Sequence, residues 1–327
     1  MEKEADELMS YSEHLPQTTE KMRRNVRALK KIQLRAQEIE VEFYKELHQL
    51  EAKFQPIFAK IREERRAIVI GEKEPTDEEI DVNLLHCADK KELSELEKVW
   101  NRDNPDEGEP GIPEFWLQVL LNYEPTADMI TDADMDVLVH LVDISVNLEL
   151  NPTAFTLNFH FEPNEYFTNS VLEKRYILSY DIDVDYPFEY DGPSVVMTEG
   201  TCINWKDGKN VTKQVITKKL RNTRTGEVKR MRKTIKNDSF FNFFDPPLAN
   251  EFGEDDKAVH DLLVCDFEIG TLIRDQVIPR AALIYTGEYV ENTKQLTVDE
   301  GDDETSCEDT EINIEEASSE GSSSEDE

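Results

Sequence analysis

The sequence predicts an α+β fold: a long amphipathic helix, then an α/β domain whose antiparallel sheet is backed by helices, then a disordered acidic tail. Three patterns lead to this. An apolar residue recurs every third or fourth position from Met22 to Ile61. The period changes to two from Phe155 onward. Residues 299–327 hold fourteen Asp and Glu and no Lys or Arg.

Residues 1–20 are polar, with Pro16 as a break. In 21–70 the apolar positions are Met22, Val26, Leu29, Ile32, Ala36, Ile39, Phe43, Leu47, Leu50, Phe54, Ile57 and Ile61. They form the stripe of one helix, closed by Gly71 and Pro75. From Met22 to Ile70 such a helix is about 70 Å long. No single compact domain covers a stripe of that length, so the pattern predicts self-pairing and a homodimer. The seam is expected to run through Leu29, Ile32, Ile39, Phe43, Leu47, Leu50 and Phe54, with Pro56 bending or interrupting the helix.

Residues 71–112 are Pro- and acid-rich around a helical run from Asp89 to Trp100, which suggests an accessory acidic insertion. The main domain is expected over 113–298. Pro113 suits the first position of a helix carrying Phe115, Trp116, Val119 and Leu120. Thr131 with Asp134 has capping-box spacing, and Val137, Leu138, Leu141, Ile144 and Leu148 follow as the buried face of a second helix. Phe155, Leu157, Phe159 and Phe161 then alternate with polar residues. Leu172, Tyr176, Leu178 and Tyr180 keep one phase, with Lys174 as the exception, and Ser194 to Trp205 reads as a further strand. Residues 211–236 read as a basic hairpin turning at Asn222 to Gly226, and Asp256 to Ile278 as a last helix. The acidic, Ser-rich segment 299–327 should be disordered.

The formal net charge of −35 is unevenly distributed. Residues 299–327 carry −14 and residues 206–236 carry +10, which leaves −31 for the remainder. Such a body repels nucleic acid phosphates and attracts basic proteins, so sequence-specific DNA binding is not expected. Cys87, Cys202, Cys265 and Cys307 are scattered, which indicates a reducing compartment with neither a zinc site nor a disulfide framework. The polar start is no secretory segment, and no apolar run is long enough to span a membrane. Neither nucleotide-binding nor hydrolase motifs occur, and no histidine has metal-ligand spacing. An enzyme is not expected, and neither is a cofactor or resident metal.

Lys218, Lys219 and Arg221 on one arm of the hairpin, and Lys229, Arg230, Arg232 and Lys233 on the other, have three readings. They form a nuclear import signal read by an import receptor, a contact to another acidic copy that builds higher oligomers, or a solvated strand pair. Ser322, Ser323 and Ser324 each precede an acid by three residues, the spacing an acid-directed kinase reads; phosphorylation there adds negative charge.

The segments GIPEFWLQVLL (Gly111–Leu121), SFFNFFDPP (Ser239–Pro247) and IPRAA (Ile278–Ala282) resemble those of the nucleosome assembly protein family. SFFNFFDPP is the most specific and points to the nucleosome assembly branch rather than the SET-type branch. The resemblance runs from about residue 21 to 298. It implies a dimer formed through the long helix, with an acidic concave underside that binds core histones and passes them to DNA without ATP. It also implies shuttling between nucleus and cytoplasm, and an export signal whose counterpart would be Leu29, Ile32, Leu34 and Ile39, side chains that a dimer buries. Carried over residue by residue, the underside acids are Asp128, Asp132 and Asp238; Asp132 and Asp134 also suit a helix N-terminus electrostatically. The competing reading is an acidic scaffold or nuclear-transport adaptor for basic proteins, without assembly activity.

Overall fold

A computed structural model of the protein describes residues 19–86, 88–103, 110–184, 186–221, 228–246 and 257–289, with side chains described for all of these except 101–103, 215–221, 228–233 and 257–260. The first helix, α1 (Glu20–Val69), is 50 residues long. Thr19 opens it: its backbone is extended and its hydroxyl accepts the Met22 amide at 3.3 Å, a side-chain cap for an otherwise orphaned donor. Of the two outcomes expected at Pro56, a bend or an interruption, the interruption does not occur: α1 runs unbroken through it. Proline costs one backbone hydrogen bond, and tertiary contacts hold the helix at that point. The neighbouring Gln55 side chain donates to Asn147 Oδ1 at 3.2 Å and accepts the Leu148 amide at 3.2 Å.

The helix ends at a pair of glycines. Gly71 (φ +74°) and Gly111 (φ +82°) lie against each other, and a Cβ on either would collide with backbone or with Pro110. The Ile112 amide donates to Val69 O at 2.8 Å. The segment between these glycines therefore leaves and returns at one point. It carries α2 (Lys90–Asp103), whose first amides Lys91 N and Glu92 N donate to Asp89 Oδ1.

Three short helices follow: α3 (Phe115–Leu121), α4 (Glu124–Ala127) and α5 (Asp132–Leu138). Pro113 is not the first helical residue. It sits in a turn, and Glu114 after it is left-handed at φ +57°. The tie of Ile112 to Val69 sets the chain direction, so a tight turn is needed before Phe115 and Trp116 reach the core.

The stretch after α5 is a strand rather than more helix, which corrects the sequence reading of Leu141, Ile144 and Leu148. The sheet consists of β1 (Leu141–Leu150), β2 (Thr153–Phe161), β3 (Val171–Ser179) and β4 (Ser194–Gly200), antiparallel in that order. A register shift between Leu141 and Asp143 changes the phase, after which Ile144, Val146 and Leu148 oppose Phe159, Leu157 and Phe155. Spacings of three and four fit a bulged strand as well as a helix. β-branched Val142, Ile144 and Val146 and pairing to β2 decide between them. The segment 211–236 is a separate two-stranded ladder, β5 (Lys213–Arg221) and β6 (Val228–Lys236). Its turn lies outside the described residues.

The core lies on one face of the sheet. Phe155, Leu157, Phe159 and Phe161 are buried there; Phe155 packs on Tyr176 and Phe267, and Phe159 and Phe161 meet the one-turn segment Phe240–Phe244, of which Phe240, Phe241, Phe243 and Phe244 are all buried. Phe159 and Phe244 pack edge to face, 5.2 Å between centroids, the geometry that aromatic quadrupoles favour. Lys174 keeps the buried phase of β3 rather than breaking it: its side chain has 0 % exposure. It donates to Asp266 Oδ1 at 2.7 Å and to the Phe243 carbonyl, so a buried cation is both paired and hydrogen-bonded, as burial of charge requires. Burial pushes the Lys174 amine down and the Asp266 carboxyl up, and their mutual attraction opposes both shifts.

Asp266 lies on α6 (Lys257–Leu272), which passes through a π-helical turn, Ile273–Val277, into α7 (Ile278–Tyr285), beyond the expected end at Ile278. Pro279 has no amide to give the Asp275 carbonyl. Arg280 Nη1 donates to that carbonyl at 2.7 Å instead, so the helix turns through the proline rather than stopping.

Candidate functional site

Three surfaces stand out: the face of α1 turned from the body, the acids around the start of α5, and the basic ladder. The way α1 is anchored decides which of its faces remains free. β1 is an edge strand, and side chains of α1 occupy its outer backbone groups. His48 Nε2 meets Glu149 O at 2.8 Å, and Arg62 Nη2 donates to Val146 O at 3.3 Å. Arg65 Nη2 donates to Ile144 O at 3.1 Å and to Asp143 Oδ1 at 2.8 Å, while Nη1 donates to Ile278 O at 2.7 Å. The Arg65 guanidinium also lies 4.6 Å from the Trp116 ring centroid. These contacts cover an edge that would otherwise invite strand addition. Burial pushes the Asp143 carboxyl up, and Arg65 pulls it back.

With that side of α1 used, the opposite stripe faces solvent. Leu29, Ile32, Ile39, Phe43, Leu50 and Phe54 are all exposed, Ile39 by 70 %. Met22, Val26, Ile57, Phe58 and Ile61 extend the row. Of the seven residues expected in the seam, Leu47 differs: it is half-buried, beside Tyr44 and His48 under the helix. Leu34 is also half-buried. A contiguous exposed apolar row of this length marks an interaction surface.

Around α5 the acids divide into two kinds. Asp134 has 0 % exposure. Its carboxylate accepts the Thr131 amide at 2.9 Å and the Thr131 hydroxyl at 2.8 Å, which fulfils the capping spacing. It also accepts the Ser239 hydroxyl and, at 2.9 Å, the Phe240 amide. Asp128, Asp132 and Asp238 are exposed. Asp128 ends α4 and Asp132 begins α5. Because Asp134 binds Ser239, Asp238 is carried to the same junction as Asp132. Sequence reading missed this link between the helix start and the phenylalanine-rich turn, since the capping role alone explained Asp134.

The other face of the sheet is polar. Arg175 on β3 bridges Glu149 on β1 (3.0 and 2.8 Å) and Glu199 on β4 (3.0 Å). These bonds hold the Glu149 carboxyl below its usual range. Ser145 Oγ meets His160 Nε2 at 3.0 Å, and burial pushes the imidazole pKa down.

The ladder β5–β6 pairs Lys219 with Arg230, Thr217 with Arg232, Ile216 with Lys233 and Leu220 with Lys229. The side chains of Lys218, Lys219, Arg221, Lys229, Arg230, Arg232 and Lys233 lie outside the described residues, as do Ser322, Ser323 and Ser324. Among the described residues, no group of three His, Cys, Asp or Glu could hold a metal ion, and no helix is long and apolar enough to cross a membrane.

A family model described as nucleosome assembly protein (NAP) matches residues 24–288. Nucleosome assembly protein 1-like 1-A of Xenopus laevis is 40% identical over 290 residues, covering 86% of this chain and 72% of its own. Nucleosome assembly protein 1-like 1 of Homo sapiens is 40% identical over 305 residues, covering 86% and 73%. A solved structure, Nucleosome Assembly Protein 1 from Plasmodium knowlesi, is 27% identical and covers 83% of this chain and 98% of its own, with a TM-score of 0.47. A family match across most of the chain, joined by relatives at 40% identity over the same span, makes this protein a member of the nucleosome assembly protein family.

Proposed function

We propose that this protein is an ATP-independent histone chaperone. It works as a homodimer paired along the exposed face of α1, shields the basic surfaces of core histones, and deposits the histones during nucleosome assembly. The reading is supported by the exposure of Asp128, Asp132 and Asp238, of which Asp132 and Asp238 adjoin the hydrogen-bonded pair Asp134 and Ser239, in a chain of net charge −35. Histones hold DNA through many cationic contacts to phosphate. A distributed acidic surface competes for those cations without unfolding the cargo, and releases it to the denser charge of DNA. The acidic segment 299–327 adds fourteen further carboxylates to the polyanion. The cationic ladder serves nuclear import or contact between dimers, and the protein works in the nucleus and shuttles through the cytoplasm.

The test is binding of purified core histone dimers across a salt series, with the full chain and with a truncation after Val298, followed by transfer to DNA. Binding by the truncation that survives moderate salt, weakens in the combined variant Asp128→Asn, Asp132→Asn, Asp238→Asn, and raises nucleosome yield supports the proposal. Binding that disappears with the acidic segment, or no gain in nucleosome yield, favours an acidic scaffold or transport adaptor instead.

A further inference from the structure

The amino-terminal part of α1, like the ladder β5–β6, is opposite in charge to the chain as a whole. From Lys21 to Arg35 there are seven Lys and Arg and no Asp or Glu, in a chain of net −35. Every residue from Glu20 to Gln33 is exposed; the body first buries α1 at Gln37. Within this stretch Arg24, Arg27, Lys31 and Arg35 follow one another at steps of three, four and four, so they form one straight row about 16 Å long. None of the four has an ion-pair partner among the described residues. The row lies apart from both faces that α1 already uses. At 3.6 residues per turn it is about 160° round the helix from Met22, Val26, Leu29 and Ile32, and it is also displaced from the body-facing Gln37, Val41 and His48. Pairing through the apolar stripe therefore leaves the cations open, and a dimer would carry two such rows.

We propose that this row docks the phosphate backbone of duplex DNA, without reading sequence. The ligand class follows from the geometry. A rigid, straight line of evenly spaced cations suits a stiff polyanion with about one charge per 3.4 Å on each strand. Three of the four are arginine, whose planar fork matches phosphate oxygens. A flexible acidic peptide would pay ordering entropy to follow the same line. The row also answers a problem that the net charge creates, because an acidic body repels the duplex. At about 0.1 M salt that repulsion is screened within roughly 10 Å. The row meets the body at its carboxyl-terminal end, where Lys30 lies 5.4 Å from the Phe188 ring centroid and Arg35 is two residues from buried Gln37, while Arg24 and Arg27 stand about 20 and about 15 Å along the helix from Gln37. DNA can thus approach along the amino-terminal half of the row, where the repulsion is screened. Docking here is separate from cargo binding, so it is measured on the protein without histones.

The experiment is fluorescence anisotropy of a labelled random-sequence duplex of about 30 bp with the full chain, at salt from about 50 to 200 mM. The expected result is binding at low salt with a log–log salt slope of about −3 to −4, equivalent to roughly 100-fold weakening across that range. The variant Arg24→Gln, Arg27→Gln, Lys31→Gln, Arg35→Gln keeps good helix formers and should bind at least about tenfold more weakly, with a shallower slope. A second variant, Lys218→Gln, Lys219→Gln, Arg230→Gln, Arg232→Gln, should bind as the parent does. The proposal is overturned if the parent does not bind the duplex at low salt, if the α1 variant binds unchanged, if the loss follows the ladder variant, or if a poly-glutamate peptide of equal charge competes better than the duplex.

Discussion

The carboxylate of Asp134 and the hydroxyl of Ser239 are hydrogen-bonded across 105 positions of sequence, and the bond is fully buried. With the Phe240 amide and the two Thr131 donors, Asp134 accepts four hydrogen bonds. It joins the start of α5 to the turn whose phenylalanines fill the sheet. Asp134→Ala should therefore orphan buried backbone donors and lower the unfolding free energy by about 2–4 kcal/mol, read as a shift of the urea midpoint at fixed protomer concentration. Exposed Asp132→Asn should change it by less than about 0.5 kcal/mol. Equal effects would mean that the buried acid has no special structural role.

Arg65 and Asp143 form a second such link, between α1 and β1. Arg65→Met leaves a buried carboxylate without its partner and removes contacts to Ile144 and Ile278. A loss of about 3 kcal/mol is expected. The double variant with Asp143→Asn should be less destabilised than the two single losses added together. Strict additivity would show that the pair is not coupled.

His160 sets a pH dependence. Burial depresses its folded pKa below the ordinary 6.5, with Asp143 opposing the shift. The unfolded chain therefore takes up the proton first. Stability carried by neutral His160 is complete above about pH 6.5 and is lost as pH falls through that value toward the folded pKa. The urea midpoint should drop between about pH 7.5 and about pH 5.5, and His160→Gln should flatten the drop. An identical slope in the variant would assign the effect to other groups.

The exposed row on α1 predicts an oligomeric transition. Phe43→Glu with Leu50→Glu puts two charges into a face that pairing would dehydrate. Sedimentation should move to a single protomer, with apparent affinity between copies weakened more than about 100-fold. The near-ultraviolet signal of the body should be kept, because Arg65, Gln55 and His48 still anchor the helix. A variant that sediments like the parent would remove the basis for pairing along this face.

Much of the fold was legible along the chain. The stripe on α1, the alternation in β2 and β3, and the basic ladder are local periodicities, which sequence reports directly. The misreadings arose where two local rules agreed equally well with the residues. Leu141, Ile144 and Leu148 suit a helix face, and a bulge at the start of β1 makes them suit a strand. The last helix was expected to end at Ile278, yet Arg280 supplies the donor that Pro279 lacks and the helix continues to Tyr285. The candidate acids were reached through family resemblance rather than pattern, because single aspartates in so acidic a chain carry no local signal.

What the sequence determined by itself was the order of elements, the sign and segregation of charge, and the existence of an apolar face too long for one domain. Each depends on residue type and spacing alone. What only the tertiary structure decided was the use of individual residues. Asp134 is a buried clasp while Asp132 and Asp238 are surface acids, Lys174 lies inside the core, and Arg24, Arg27, Lys31 and Arg35 form an exposed row. Burial and pairing arise from contacts between positions far apart in the chain, and those contacts set the dielectric and the partners that give a charge its role.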